Sequence, residues 1–429
     1  MVQARLPLQR RLSAPRHICA AALLCLLLSV GCNHHPFPDV APGYREFAYV
    51  TNGASNTVSV LDLVYLRQDR TLQVGSQPSG LAVNPKRNEV YAVNTLSGTV
   101  SVIDTDANRV VATIPVHKLP YFIDVDAEGR RAYVANSGSN SVSVIDLDAR
   151  REIGVLGVGE QPGVARISSD MRTLVVSNRG SGSVSVFAVQ PYTPAAGGAL
   201  AIPGLTAKPA APPAAELPRL RAAFSGCPGA TDIAILPDSL KAFITCSGGH
   251  QVMAVSLAAA PDSWAAKQNP SLEADHMLAM LDVGLTPVQL AMKHDGGQIF
   301  CSNFGADSIS AIDTETNEVT RTDTIANRPV RGLVSTDDGT LWISSFGSDS
   351  INLWSIDDGK MVNSVRTGSA PDALAFSADE HLLLAADAHS GDISVIRTAD
   401  RDGDPVLFTM MPAGSSPNAI VVKAMPGKP

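Results

Sequence analysis

Polar side chains stand at fixed distances after a recurrent proline, and their types could do chemistry. Asp124 and Arg166 each lie four residues after the proline of their repeat, and Gln289 and Arg331 lie two residues after theirs. Asp232 lies two residues after Ala230, which replaces the proline in its repeat. An arginine can hold a carboxylate or a phosphate through two parallel hydrogen bonds. Opposite charges that are poorly solvated can instead satisfy one another as ion pairs. The pattern predicts a seat for a polar ligand or, as base rates favour, ion pairs between repeats.

Other kinds of chemistry have no residues to support them. The sequence lacks a G-x-S-x-G nucleophile elbow, and no G-x-G-x-x-G follows a strand into a helix. The histidines of the repeats are scattered along the chain without the spacing of metal ligands. The acidic run 400–404 resembles the start of a calcium loop but lacks its sixth-position glycine and closing glutamate. We therefore predict no catalytic residue, no cofactor and no metal.

The first 31 residues read as an export signal. Four arginines precede an uncharged apolar run at 18–30, which is short for a membrane span. The run ends in Leu-Ser-Val-Gly-Cys, which resembles the lipobox of bacterial lipoproteins, with acylation at Cys32. An ordinary signal peptide that happens to contain a cysteine is the alternative. Asn33 resembles the default outer-membrane signal, so we expect a chain lipid-anchored to the outer membrane of a Gram-negative bacterium, facing the periplasm or the cell surface.

The net charge limits the kinds of partner that the exported chain could bind. Without residues 1–31 the chain has 29 basic and 41 acidic side chains, a net charge of −12, so nucleic-acid binding is disfavoured. We expect contact with the membrane through the N-terminal lipid alone.

In an oxidising compartment Cys227 and Cys246 are candidates for a disulfide, with two separate buried thiols as the alternative. Cys301 takes a strand position that is valine in other units, so it should be a buried, unpaired core residue.

The chain repeats with a period of 42 residues. Eight related tetrapeptides mark the repeat, and they begin at Tyr49, Tyr91, Tyr133, Val175, Phe243, Phe300, Trp342 and Leu384. Five of the seven intervals are 42 residues, while the intervals of 68 and 57 residues contain insertions of 26 and 15. Each unit has short alternating apolar and polar runs bounded by turn residues, which is typical of β-strands.

A recurrent proline marks the entry to one strand of these units, where it removes no ladder hydrogen bond. Four short strands in about 42 residues is the period of a β-propeller blade, with a β-solenoid or a string of sandwiches as alternatives. The first unit lacks its proline-led strand, whereas Pro417 begins such a strand with no unit after it. We therefore predict an all-β fold, a single propeller of eight four-stranded blades closed by the C-terminal strand. Seven blades is the fallback if one insertion-bearing unit is degenerate.

These features divide the chain into four parts. We predict a signal peptide at 1–31, a lipidated tether at 32–44, the propeller at 45–424 and a tail at 425–429, with insertions near 190–220 and 258–277. The first insertion is rich in proline and alanine, which is typical of an extended excursion. The second is compatible with a short helix against the blade rim.

The tetrapeptide Tyr-Val-Thr-Asn at 49–52 and the strand Thr-Val-Ser-Val at 57–60 resemble the YVTN repeat of bacterial and archaeal surface or periplasmic propellers. The likeness covers residues 45–424. It implies a secreted scaffold, and the usual seven blades of that family make eight a departure. In such propellers the proline-led strand lines the central channel, which would place the five polar residues there.

From these observations we interpret the chain as a non-enzymatic binding or scaffold module at the cell envelope, for an envelope protein or a small polar ligand. The alternative is a periplasmic propeller enzyme or redox accessory, lactonase-like or quinone-dependent dehydrogenase-like, that uses the channel mouth. The two differ in whether the channel charges pair with one another or converge on an open cavity.

Overall fold

The computed structural model describes residues 40–190, 217–259, 263–399 and 403–426. Among them, Arg45–Met425 forms one compact unit that contains eight four-stranded antiparallel sheets. The predicted all-β propeller of eight blades is therefore confirmed, and the fallback of seven is not needed. Cys32 lies outside the described residues, as does most of the first insertion.

We number the blades along the chain and give their strands in order. Blade 1 contains β1 (Arg45–Asn52), β2 (Thr57–Asp62) and β3 (Arg67–Gln73); blade 2 contains β4 (Pro78–Val83), β5 (Glu89–Asn94), β6 (Thr99–Asp104) and β7 (Arg109–Pro115). Blade 3 contains β8 (Pro120–Val125), β9 (Arg131–Asn136), β10 (Ser141–Asp146) and β11 (Arg151–Gly157); blade 4 contains β12 (Pro162–Ile167), β13 (Thr173–Asn178), β14 (Ser183–Ala188) and β15 (Arg219–Ser225). Blade 5 contains β16 (Ala230–Ile235), β17 (Lys241–Cys246), β18 (Gln251–Ser256) and β19 (His276–Asp282); blade 6 contains β20 (Pro287–Met292), β21 (Gln298–Asn303), β22 (Ser308–Asp313) and β23 (Glu318–Thr324). Blade 7 contains β24 (Pro329–Val334), β25 (Thr340–Ser345), β26 (Ser350–Ser355) and β27 (Lys360–Arg366); blade 8 contains β28 (Pro371–Phe376), β29 (Leu382–Asp387), β30 (Asp392–Arg397) and β31 (Val406–Pro412), and β32 (Pro417–Met425) returns to blade 1.

The C-terminal strand closes the ring as predicted. β32 pairs antiparallel with β1, with Tyr49 opposite Val421. The innermost strands β4, β8, β12, β16, β20, β24, β28 and β32 contact one another in sequence around the ring. The second insertion contains α1 (Trp264–Gln268) and a 3-10 helix (Pro270–Glu273), and no helix in the described part of the chain is long and apolar enough to cross a membrane.

The first residue of each tetrapeptide supplies bulk between blades. Tyr49, Tyr91, Tyr133 and Phe243 are among the largest fully buried side chains. In these tetrapeptide strands alternate side chains face the two neighbouring blades, and both faces are buried, as in β5, β9 and β13. Where a tyrosine is used, its hydroxyl finds a partner, as in the 2.6 Å hydrogen bond that Tyr91 donates to Glu89.

The last residue of the tetrapeptide fastens the following hairpin. The Asn94 amide donates to Thr99 Oγ1 and to Ser101 Oγ, both at 3.0 Å. The same pair of bonds recurs at Asn52, Asn136, Asn178 and Asn303. This explains in physical terms why asparagine and the two hydroxyl residues repeat together: each amide satisfies buried oxygens that would otherwise lack a donor.

Blade 5 replaces this amide with a covalent bond. Cys246 takes the asparagine place and forms a disulfide with Cys227, whose Cα lies 4.7 Å away. The bridge joins the end of β17 to the loop that enters β16 of the same blade. Cys301 is a buried free thiol in β21, and burial raises its pKa.

Candidate active site

A cavity of about 860 Å³ lies along the channel side of blades 3 to 8. Four of the five polar residues singled out in the sequence line it, namely Arg166, Asp232, Gln289 and Arg331. Asp124 does not belong to this lining. The cavity reaches from Arg179, in the loop after β13, to His294, beyond the far end of β20. It therefore extends along the length of the inner strands.

Arg166 and Asp232 pair across neighbouring blades. Arg166 Nη2 lies 3.8 Å from Asp232 Oδ1, and the guanidinium carbon lies 5.3 Å from the centre of the Phe122 ring. The other oxygen of Asp232 accepts the backbone N–H of Leu290 at 3.0 Å. This long contact is an ion pair between blades of the kind that the sequence predicts, while the buried Arg166 Nε has no hydrogen-bond partner among the described residues.

Asp124 and Gln289 bind the backbone of the next blade. Asp124 Oδ2 accepts the N–H of Ile167 at 3.0 Å, and Gln289 Oε1 accepts the N–H of Gly332 at 2.7 Å. Burial raises the pKa of Asp124, while Arg166 and the backbone donors lower it. Both side chains satisfy N–H groups on the free edge of an inner strand, so their role in the structure is to join blades.

Arg331 and Asp372 differ from the four side chains described above in their lack of partners within the described part of the chain. Both are half-buried and line the cavity, on the neighbouring inner strands β24 and β28. Within the described ranges, neither the Arg331 guanidinium nor the Asp372 carboxylate has a hydrogen-bond or ion-pair partner. Burial raises the pKa of Asp372, and the charge of Arg331 opposes that rise. A cation with five available donors and a carboxylate of increased basicity thus face the same space.

Asp372 was missed by the sequence reasoning for an identifiable reason. Simple alternation along the strand predicts the second and fourth residues after the proline as the channel positions. In every blade, however, the residue directly after the proline, or after Ala230, falls out of register with the adjacent strand, as between Pro371 and Ala373. A β-bulge of this kind redirects side chains. The signal that could have found Asp372 is a charge at this first position, where the other blades have uncharged residues.

The described residues contain no group of three or more His, Cys, Asp or Glu that could hold a metal ion. His294, the histidine in the cavity lining, has its Nδ1 3.0 Å from the Asp338 carboxylate, outside the Arg331 and Asp372 pair.

Comparison with known proteins places this site in context. Residues 47–158, which span the first three blades, match the family model described as Lactonase, 7-bladed beta-propeller. Dihydro-heme d1 dehydrogenase NirN, solved in complex with DHE, is 14% identical with a TM-score of 0.66, over 91% of this chain and 78% of that chain. Apo AztD from Citrobacter koseri is 15% identical with a TM-score of 0.62, over 91% of this chain and 100% of that chain. No curated protein matches the sequence.

These findings correct the functional interpretation. The main reading, a non-enzymatic binding or scaffold module, is wrong, because the family model that matches is that of lactonases. The alternative, a propeller enzyme or redox accessory that uses the channel, is better supported. The solved structures share the fold at low identity and add no argument about activity. The chain is an eight-bladed β-propeller whose first three blades are similar to the seven-bladed lactonase propellers.

Proposed function

We propose that the chain hydrolyses a lactone in the channel cavity, with Asp372 as general base and Arg331 as the group that stabilises the oxyanion. The observation that carries the proposal is the side-by-side placement of these two residues, both without partners among the described residues, on the wall of a cavity of about 860 Å³. That volume is in the range of small-molecule sites. The lactonase match over the first three blades supports the reaction class.

Each step of the reaction has a group to perform it. Asp372 removes a proton from water while the oxygen bonds to the lactone carbonyl carbon, and Arg331 stabilises the negative charge that forms on the carbonyl oxygen. The ring C–O bond then breaks, and protonated Asp372 returns the proton to the departing alkoxide. The product is a hydroxy acid, so one water is consumed and no oxidant is required. Arg179, exposed at one end of the cavity, is placed to bind an anionic substituent of the substrate.

The proposal is tested with the purified full-length mature chain and a panel of γ- and δ-lactones, with and without a carboxylate or phosphate substituent. We expect ring opening, followed as acid release at constant pH, to be fastest for the anionic members of the panel. An Asp357→Asn variant, altered in the exposed β26–β27 turn, should retain the full rate. Rates no higher than those of the buffer across the whole panel would rule the proposal out.

We further propose that the chain is an exported lipoprotein related to the YVTN-repeat propellers and anchored through Cys32. The basic, apolar and lipobox-like regions at the N-terminus support this. A Cys32→Ser variant should move from the membrane fraction to the soluble periplasmic or extracellular fraction, because it cannot be acylated. Membrane association equal to that of the unaltered protein would contradict the assignment.

A further inference from the structure

Two phenylalanines distinguish one end of the channel in blades 6 and 7. In every blade the residue after the tetrapeptide donates its N–H to the residue before the inner strand, as Phe304 does to Thr286 at 3.0 Å. We call this ring of residues the channel mouth, because Ser137, Arg179 and Ser247 of the ring line the cavity, while Phe304 and Phe346 take the equivalent positions just outside that lining. Its members in chain order are Gly53, Thr95, Ser137, Arg179, Ser247, Phe304, Phe346 and Ala388. Bulky aromatic rings therefore occur in blade 7, which carries Arg331, and in the neighbouring blade 6, whereas blade 8, which carries Asp372, has Ala388 at this position.

These rings are not core residues. Phe304 and Phe346 are both half-buried, so each keeps part of its surface open to solvent. The guanidinium carbon of Arg328 lies 5.6 Å from the centre of the Phe304 ring, and the His389 ring meets that of Phe346 edge to face at 5.2 Å. Cationic and imidazole groups thus flank an aromatic surface at the mouth.

The opposite wall also has an aromatic residue. Tyr121, directly after the proline of β8, is 53% exposed and lines the cavity. In a closed ring of eight blades, blade 3 lies across the channel from blade 7, which carries Phe346. Arg179 belongs to the same mouth in blade 4. A planar group that enters here would meet Tyr121 on one side of the mouth or Phe304 and Phe346 on the other, with Arg179 as a positive charge at the same end.

We propose that the channel mouth is a subsite for an aromatic group that bears an anion. If the proposed lactonase function is correct, the substrate class is therefore an aryl-bearing anionic lactone. Stacking and edge-to-face contacts with Phe304, Phe346 and Tyr121 would recognise the planar ring. Arg179 would pair with the carboxylate or a comparable anion. A saturated ring of the same size would keep the ion pair and lose the aromatic contacts.

The test compares two probes, 2-naphthoate and decahydro-2-naphthoate, whose binding to the full mature chain is measured by calorimetry. They share a carboxylate and a carbon skeleton and differ in aromaticity. We expect 2-naphthoate to bind roughly tenfold more tightly than the saturated probe. Phe304→Leu and Phe346→Leu should each weaken binding of 2-naphthoate roughly fivefold while the affinity for decahydro-2-naphthoate is unchanged, which also shows that the variants are folded.

A matched control exists on the outer surface of blade 8. Phe408 in β31 is 41% exposed and lies beneath Arg397 at 4.8 Å, a similar aromatic and cation pair away from the mouth. Phe408→Leu should leave both affinities unchanged, whereas Arg179→Ala should weaken both probes. Equal affinity for the two probes, or no change in the Phe304 and Phe346 variants, would overturn the subsite.

Binding does not depend on turnover, so the two proposals can fail separately. Discrimination between the probes without hydrolysis of any lactone would leave the subsite standing and remove the lactonase proposal. Hydrolysis of a lactone without discrimination between the probes would leave the lactonase proposal standing and remove the subsite.

Discussion

Asp372→Asn is expected to lower kcat for lactone ring opening by roughly a hundredfold to ten thousandfold, the range that a positioned general base contributes. The amide cannot accept the proton of the attacking water, while its size and its place in β28 are retained. KM should change little, since the anionic substituent of the substrate is bound by Arg179 and not by Asp372. The measurement is steady-state acid release across substrate concentrations, with Asp357→Asn as the control for loss of an acidic charge at the surface.

The pH profile adds a signature that a merely structural role would not produce. A general base must be deprotonated, so kcat/KM should fall as the pH drops below the raised pKa of Asp372. Arg331 lowers this pKa, so Arg331→Met should shift the acidic limb to higher pH in addition to lowering the rate. Arg366→Met, on the exposed outer strand β27, should leave the limb in place. An acidic limb that does not move in Arg331→Met would contradict the assignment of Asp372 as the base.

The propeller fold could be predicted from the sequence because each blade repeats the same short motifs. The tetrapeptide, its asparagine and the proline-led strand recur in phase, and an incomplete first unit with a surplus last strand leaves closure by β32 as the natural arrangement. These motifs lie within single repeats, so they predict the blades without any knowledge of the contacts between blades.

The pairing of side chains in the channel could not be predicted in the same way, because it depends on contacts between blades. The sequence places Arg166 and Asp124 at the same position of neighbouring inner strands, yet the ion pair of Arg166 is with Asp232 on β16, because a long arginine side chain can span two levels. Asp372 was missed because the bulge after the proline adds a channel position that simple alternation omits. Register irregularities and side-chain reach between blades therefore limited the prediction of the site.

Asp387→Asn is expected to stabilise the protein at pH 8 and to have little effect at pH 4. Asp387 takes the place that asparagine fills in five other blades, and it is fully buried at the end of β29. It accepts the N–H of Ser394 at 3.1 Å and its hydroxyl at 2.7 Å, close to the carboxyl of Asp392. Burial, reinforced by Asp392, raises the pKa of Asp387 to about 7.

The sign of the pH dependence follows from this raised value. The unfolded chain releases the Asp387 proton near the ordinary value of 3.8, whereas the folded chain retains it up to about pH 7. Between these values the folded state binds more protons, so the free energy of unfolding falls as the pH rises and stays reduced above pH 7. A shift of this size corresponds to roughly 4 kcal/mol at most. Asparagine does not titrate and can donate to Ser394 as its counterparts do in other blades.

Urea unfolding of the wild-type and Asp387→Asn proteins at several pH values between 4 and 8 measures this difference directly. We expect the variant to gain roughly 2–4 kcal/mol at pH 8, with the gain shrinking towards pH 4. Other buried carboxyls, such as Asp124, are common to both proteins and cancel in the comparison. The converse change, Asn94→Asp in blade 2, should introduce a similar loss of stability above neutral pH. A gain from Asp387→Asn that is equal at pH 4 and pH 8 would show that packing, and not the ionisation of a buried carboxyl, distinguishes blade 8.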